Sequence, residues 1–177
     1  MKITAIAAVT LVFASQAIAG GHATGLTDAT IVITNTFQGA QTEGAEVDVS
    51  AFGLLNNQFA VVGEEVEFPG FITLYDVDVS ADAIRFTWGD SAFAQQLSGP
   101  TPEGNHDRNY FIFDLPEGKA ITKVTFDAAS SDMIEGSAVP TATILGPNRI
   151  VTDFSTGVIR GSGFNPAFSV TVSDAEG

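Results

Sequence analysis

Asp76, Asp78, Ser80 and Asp82 stand at alternate positions in the stretch DVDVSAD. Oxygen ligands line a calcium loop at this spacing. A loop of that kind starting at Asp76 needs Gly at its sixth position and Glu at its last. Ala81 and Thr87 occupy those places. The same spacing arises on a β-strand, whose side chains alternate between two faces. Tyr75, Val77 and Val79 then share one face, and Asp76 and Asp78 the other. The strand reading is preferred, with residues 80–82 as the turn into a second strand at 83–88.

Three further groups of residues carry candidate chemistry. Asp127, Asp132 and Glu135 lie in DAASSDMIE and are candidate calcium ligands if distant loops complete the site. The plainer reading is a polar connection after a strand at 121–127. Residues 98–108, SGPTPEGNHDR, hold two prolines and two glycines and read as an exposed loop. His106, Asp107 and Arg108 in it, together with the only tryptophan, Trp88, are candidate binding residues. A solvated polar loop is the simpler account of that triplet. The third group is Gly20, Gly21 and His22. If cleavage after Ala19 frees the Gly20 amine, that amine, two amide nitrogens and the imidazole can hold Cu(II) or Ni(II) in a square plane. Chelation in vitro is the expectation, whereas a physiological copper site is the less favoured reading, because His third in a Gly-rich tail also arises by chance.

Other chemistries lack their signatures. The chain contains no HExxH, no Walker loop, no GxSxG and no GxGxxG opening a helix. The absence of cysteine removes disulfides, thiol catalysis and zinc–thiolate sites. The 21 acidic residues leave a hydrolytic carboxylate pair open, though none is marked by its surroundings.

The elements that must position these residues are short and rich in Val, Ile, Phe and Thr, separated by Gly, Pro, Asn and Asp. Strands are predicted at 30–36, 58–62, 64–68, 72–79, 83–88, 109–114, 121–127, 141–145, 149–154 and 167–172. One helical turn or two is predicted at 91–97. This pattern predicts an all-β fold, a single antiparallel β-sandwich of jelly-roll or immunoglobulin-like type. Val77, Val79, Ile84, Phe86, Phe111, Phe113, Val124 and Phe126 are the expected core. In the segment 109–114 both parities are apolar, so both faces are expected to be covered.

The N-terminus reads as a secretory signal peptide: Lys2, an apolar run at 3–13 and a small-x-small site at Ala17-Ile18-Ala19. Removing 19 residues from 177 leaves 158, one ordinary domain. The expected division is a signal peptide at 1–19, a lead at 20–29 and a sandwich at 30–173. No other apolar run reaches the ~20 residues that span a bilayer. A net charge of −14 disfavours nucleic acid and anionic membrane surfaces.

The run of segments VEF (66–68), DVDVSADAIRFTW (76–88), NYFIFDL (109–115), ITKVTFDAAS (121–130), NRIVTDFSTGVI (148–159) and FSVTV (168–172) resembles exported bacterial β-sandwich proteins of the PEP-CTERM or VPLPA-associated type. The resemblance covers about residues 64–172. It implies a secreted or surface-held protein and carries over no functional residue. The sorting tail of that group has no counterpart in SVTVSDAEG, which favours release or periplasmic retention. The leading expectation is a secreted or periplasmic, non-catalytic protein with a structural or interaction role that requires no cofactor. An extracellular polysaccharide-binding module, calcium-assisted or not, comes second. A carboxylate-pair hydrolase comes third.

Overall fold

The computed structural model describes residues 25–42, 56–89, 96–97, 105–154 and 157–174. Twelve strands are found among them and no helix: β1 Thr30–Thr42, β2 Asn56–Val61, β3 Phe68–Phe71, β4 Tyr75–Val79, β5 Ala83–Trp88, β6 Gln96–Leu97, β7 Asn105–Asp114, β8 Lys119–Phe126, β9 Thr141–Ile144, β10 Arg149–Asp153, β11 Ile159–Arg160 and β12 Ala167–Asp174. They form two five-stranded antiparallel sheets, ordered β2-β1-β7-β10-β9 and β3-β4-β5-β12-β8. β6 and β11 make a separate two-stranded ladder.

Alternation decides which side chains meet between the sheets. Ile31 and Ile33 of β1, Phe111 and Phe113 of β7 and Ile150 of β10 are buried from the first sheet. Tyr75, Val77 and Val79 of β4, Ile84 and Phe86 of β5 and Phe168 and Val170 of β12 are buried from the second. Phe86 joins the two layers, with ring centroids 5.0 Å from Phe111 and 4.8 Å from Phe154. The polar side chains Asn35, Asn109 and Thr152 that enter this core are paired. Asn35 Nδ2 donates to Asn109 Oδ1 at 2.9 Å and to the Tyr110 carbonyl at 3.1 Å. The Thr152 hydroxyl donates to the Phe111 carbonyl at 3.2 Å.

Several expected boundaries move. Residues 64–67 are not strand, and the pairing starts at Phe68. The reason is Glu67, whose carboxylate accepts the Gly63 amide at 2.9 Å and the Val79 amide at 2.7 Å and bends the chain there. The expected strand 72–79 begins with a tight turn at 72–74 instead. Gln96 and Leu97, expected at the end of a helical turn, pair with Arg160 and Ile159, while 91–95 lie outside the described residues. Residues 105–108, expected in a loop, belong to β7 and pair with the far end of β1 through a register shift between Gln38 and Gln41. Val124 and Phe126 are half-buried rather than core, since β8 is an edge strand whose inward side chains reach the rim of the sandwich.

Candidate functional site

Strand direction gathers most of the candidate residues at one end of the sandwich. The β4–β5 hairpin turns at the opposite end, where Ser80 N–H donates to the Ala83 carbonyl at 2.9 Å. The start of β1 lies at that opposite end too, since Leu26 N–H donates to the Ala81 carbonyl at 2.7 Å. Gly25 makes this approach possible, because its φ is +113° and a Cβ there would collide with the Ala81 carbonyl oxygen. β5 and β8 therefore run toward the other end and deliver Trp88 and Asp127 there. β1 and β7 meet there through residues 105–108.

At that end Trp88 packs edge-on against Tyr75, with centroids 5.4 Å apart. Its amide donates to Asn165 Oδ1 at 3.1 Å, and Asn165 Nδ2 donates to Asp132 Oδ2 at 3.4 Å. The main chains of Asp132 and Asn165 also exchange hydrogen bonds of 3.1 and 2.8 Å. Burial pushes the Tyr75 phenol well above its ordinary pKa, and the Arg160 guanidinium beside it offsets part of that rise. The Tyr75 hydroxyl itself makes no well-aligned hydrogen bond among the described residues.

The acids are placed but not assembled. Asp127 Oδ1 accepts the amides of Ala129 at 3.0 Å and Ser130 at 3.3 Å, so it closes its own turn. The Ser130 side chain, ahead of those amides, holds its pKa below the usual carboxylate value. Asp132 faces Asn165, and Glu135 is exposed. Among the described residues, no three acidic or histidine side chains converge on one point.

The alternating acids of β4 lie on the outer face of their sheet. Asp76 and Asp78 are half-buried between the buried Tyr75, Val77 and Val79. Asp76 Oδ1 accepts the Gly70 amide at 2.7 Å. Burial first, and the nearby Glu67 carboxylate second, raise the Asp78 pKa, while Arg85 lowers it. Asp82 Oδ1 takes the Ser80 hydroxyl at 3.5 Å in the hairpin turn. The side chains of His106, Asp107 and Arg108 lie outside the described residues, as do Gly20, Gly21 and His22 altogether.

The other surface of note was not singled out from the sequence. β2 is an edge strand, and Phe59 and Val61 on it are 78% and 60% exposed. Register places Phe59 against Val32 and Val61 against Thr30 on the outer face of the first sheet. Further across that face Tyr110, Ile112 and Val151 are buried with Leu145 in a cluster separate from the main core. Both faces of residues 109–114 are thus covered. A cavity of about 190 Å³, lined by Val139, Thr141, Asp153 and Val158, opens beside them. Pockets that hold drug-sized ligands measure roughly 300–1,000 Å³. The sequence did carry a signal for β2: NNQFAV has no charge in a chain with 28 charged residues, 7 basic and 21 acidic.

No protein-family model, characterised protein or solved structure matches this chain. Among the described residues there is no helix long and apolar enough to cross a membrane.

Proposed function

We propose that the protein works outside the cytoplasm, after removal of its leader, as a non-catalytic β-sandwich of jelly-roll or immunoglobulin-like type with an interaction role. The observation that carries this reading is β2, an uncharged edge strand that exposes Phe59 and Val61. An open sheet edge that exposes apolar side chains is a ready template for pairing with another chain. The resemblance of residues 64–172 to exported PEP-CTERM-associated sandwiches supports the same reading. The net charge of −14 makes nucleic acid an unsuitable partner.

The test follows the full chain in its native host. The exported form is expected to begin at Gly20, to be recovered from the periplasm or the medium, and to run there as a complex on gel filtration of the host extract. Phe59→Lys is expected to release it from that complex. A leader-bearing cytoplasmic protein, or Phe59→Lys migration like that of the parent, would overturn the reading.

A second reading rests on the Trp88 end. Trp88 holds Asn165 through its main-chain amide, and Asn165 in turn reaches the Asp132 carboxylate, so this end brings an aromatic residue and polar groups together, the combination that binds a sugar ring and its hydroxyls. Since Trp88 is the only tryptophan, its fluorescence reports directly on that end. A saturable change on adding an exopolysaccharide, lost in Asn165→Ala, is the outcome this reading requires. Repeating the titration in calcium and in EDTA shows whether the neighbouring acids contribute.

A further inference from the structure

The two large sheets have four edges, β2 and β9 in one and β3 and β8 in the other. Open edges template unwanted strand pairing, and proteins blunt them with proline, bulges, lysine or short strands. Three of these four carry such devices. β3 contains Pro69, has Gly70 at a φ of +62°, and shifts register between Phe68 and Phe71. β8 carries Lys119 and Lys123, and Lys119 reaches Asp174 at 2.9 Å. β9 is four residues long and follows Pro140. β2 carries none. Its six residues include no charge, proline or glycine, and no register shift interrupts its pairing with β1. Among the described residues nothing pairs with its outer edge.

We infer that β2 is the seam of a homodimer, pairing antiparallel with β2 of a second copy about a two-fold axis perpendicular to the sheet. This rests on the reading of β2 as a contact edge, and two observations select a second copy as the occupant. The first is self-complementarity. In an antiparallel pair, directly opposed residues share a face, so a register centred on Phe59 keeps the outer faces of both sheets on the same side. Phe59 then opposes Phe59 of the second copy, and each Val61 lies diagonal to the opposite Phe59, within reach of an aromatic ring. The exposed apolar side chains of the strand form one cluster. The second is charge. Two copies of a chain with net charge −14 repel each other and must meet where acid is absent. β2 is such a place, and in this register the exposed Glu64 and Glu65 lie beyond the paired residues. The result is a continuous ten-stranded sheet across the two copies.

Sedimentation of the exported protein tests this. The expected result is a concentration-dependent dimer that tightens by about tenfold between low and high salt, as screening removes the repulsion. Phe59→Lys places two ammonium groups face to face and is expected to weaken the dimer by roughly a hundredfold, with the circular dichroism spectrum unchanged because the site is exposed. Phe59→Cys supplies a second measurement in this cysteine-free chain. Opposed Cα atoms ~4.5–5.5 Å apart lie within disulfide range, so oxidation should give a covalent dimer, whereas Val139→Cys at a remote exposed site should not. A monomer at every salt and concentration, a dimer insensitive to Phe59→Lys, or equal cross-linking of the two cysteine variants would each overturn the seam. A Phe59-dependent complex in the host extract, formed by a protein that stays monomeric when purified, would preserve the interaction role and point to a different partner. A Phe59-dependent dimer of the purified protein, with migration in the host extract unchanged by Phe59→Lys, would do the reverse.

Discussion

Ile72 and Thr73 have φ of 50° and 61° in the turn between β3 and β4. The Leu74 amide closes that turn on the Phe71 carbonyl at 3.2 Å. Left-handed conformation at both central residues is the geometry that Asn-Gly fills in hairpins. A β-branched residue held there costs about 1–2 kcal/mol. Ile72 packs against the core, which offsets its strain, but Thr73 is exposed and has no such return. Thr73→Gly removes the strain at a cost of about 0.4–1 kcal/mol, because glycine makes the unfolded chain freer. A net gain of about 1 kcal/mol is expected, read as a higher urea midpoint. A lower midpoint would mean that Thr73 is not strained. Asp78 sets a pH dependence. Burial, then Glu67, raises its folded pKa above the ordinary 3.8, so the folded state binds the proton more tightly than the unfolded one. The resulting penalty is absent below the unfolded pKa, grows as pH rises through the folded value and is complete at neutral pH. Asp78→Asn should therefore stabilise the protein at pH 7 and lose that advantage near pH 3. An equal effect at both pH values would show that the proton is not the cause.

At the scale of elements, a single carboxylate sets where β3 begins. Glu67 accepts from Gly63 in the connection after β2 and from Val79 at the end of β4. It ties the connection between the two sheets to β4 of the second. Glu67→Ala leaves the Val79 amide without its acceptor, at a cost of about 1–3 kcal/mol. Amide exchange should accelerate at Val79 and Gly63 while protection in β7 and β10 stays the same. Uniform acceleration across both sheets would instead show that Glu67 serves global stability. Such a clamp is not legible in the sequence, where VEF reads as three strand residues with one polar position. The alternation of β4, the hairpin into β5 and the two apolar faces of β7 were legible, because each follows from local period and composition.

For the molecule as a whole, the core is a cluster of phenylalanines contributed by both sheets. Phe86 lies within 6.3 Å of Tyr75, Phe111, Phe113, Phe154 and Phe168, centroid to centroid. Phe86→Ala should cost about 3–5 kcal/mol. Since small domains are stable by only ~5–15 kcal/mol, this one change removes a large share of the margin. Chemical denaturation would show it. A cost under about 1 kcal/mol would mean that the neighbouring rings close over the gap, contrary to the packing of Phe111 and Phe154 against it.

The sequence by itself determined that the chain is all-β, which strands alternate, and that the acids at Asp76 and Asp78 form the polar face of β4. Those properties depend on neighbours one or two residues away. Only the tertiary structure decided that Trp88, Asp132 and Asn165 meet at one end, since hydrogen bonds between residues 33 and 77 positions apart join them. It alone placed β2 at an edge and left Phe59 exposed, because a strand's place in a sheet is set by long-range pairing. The spacing of residues along the chain does not encode it.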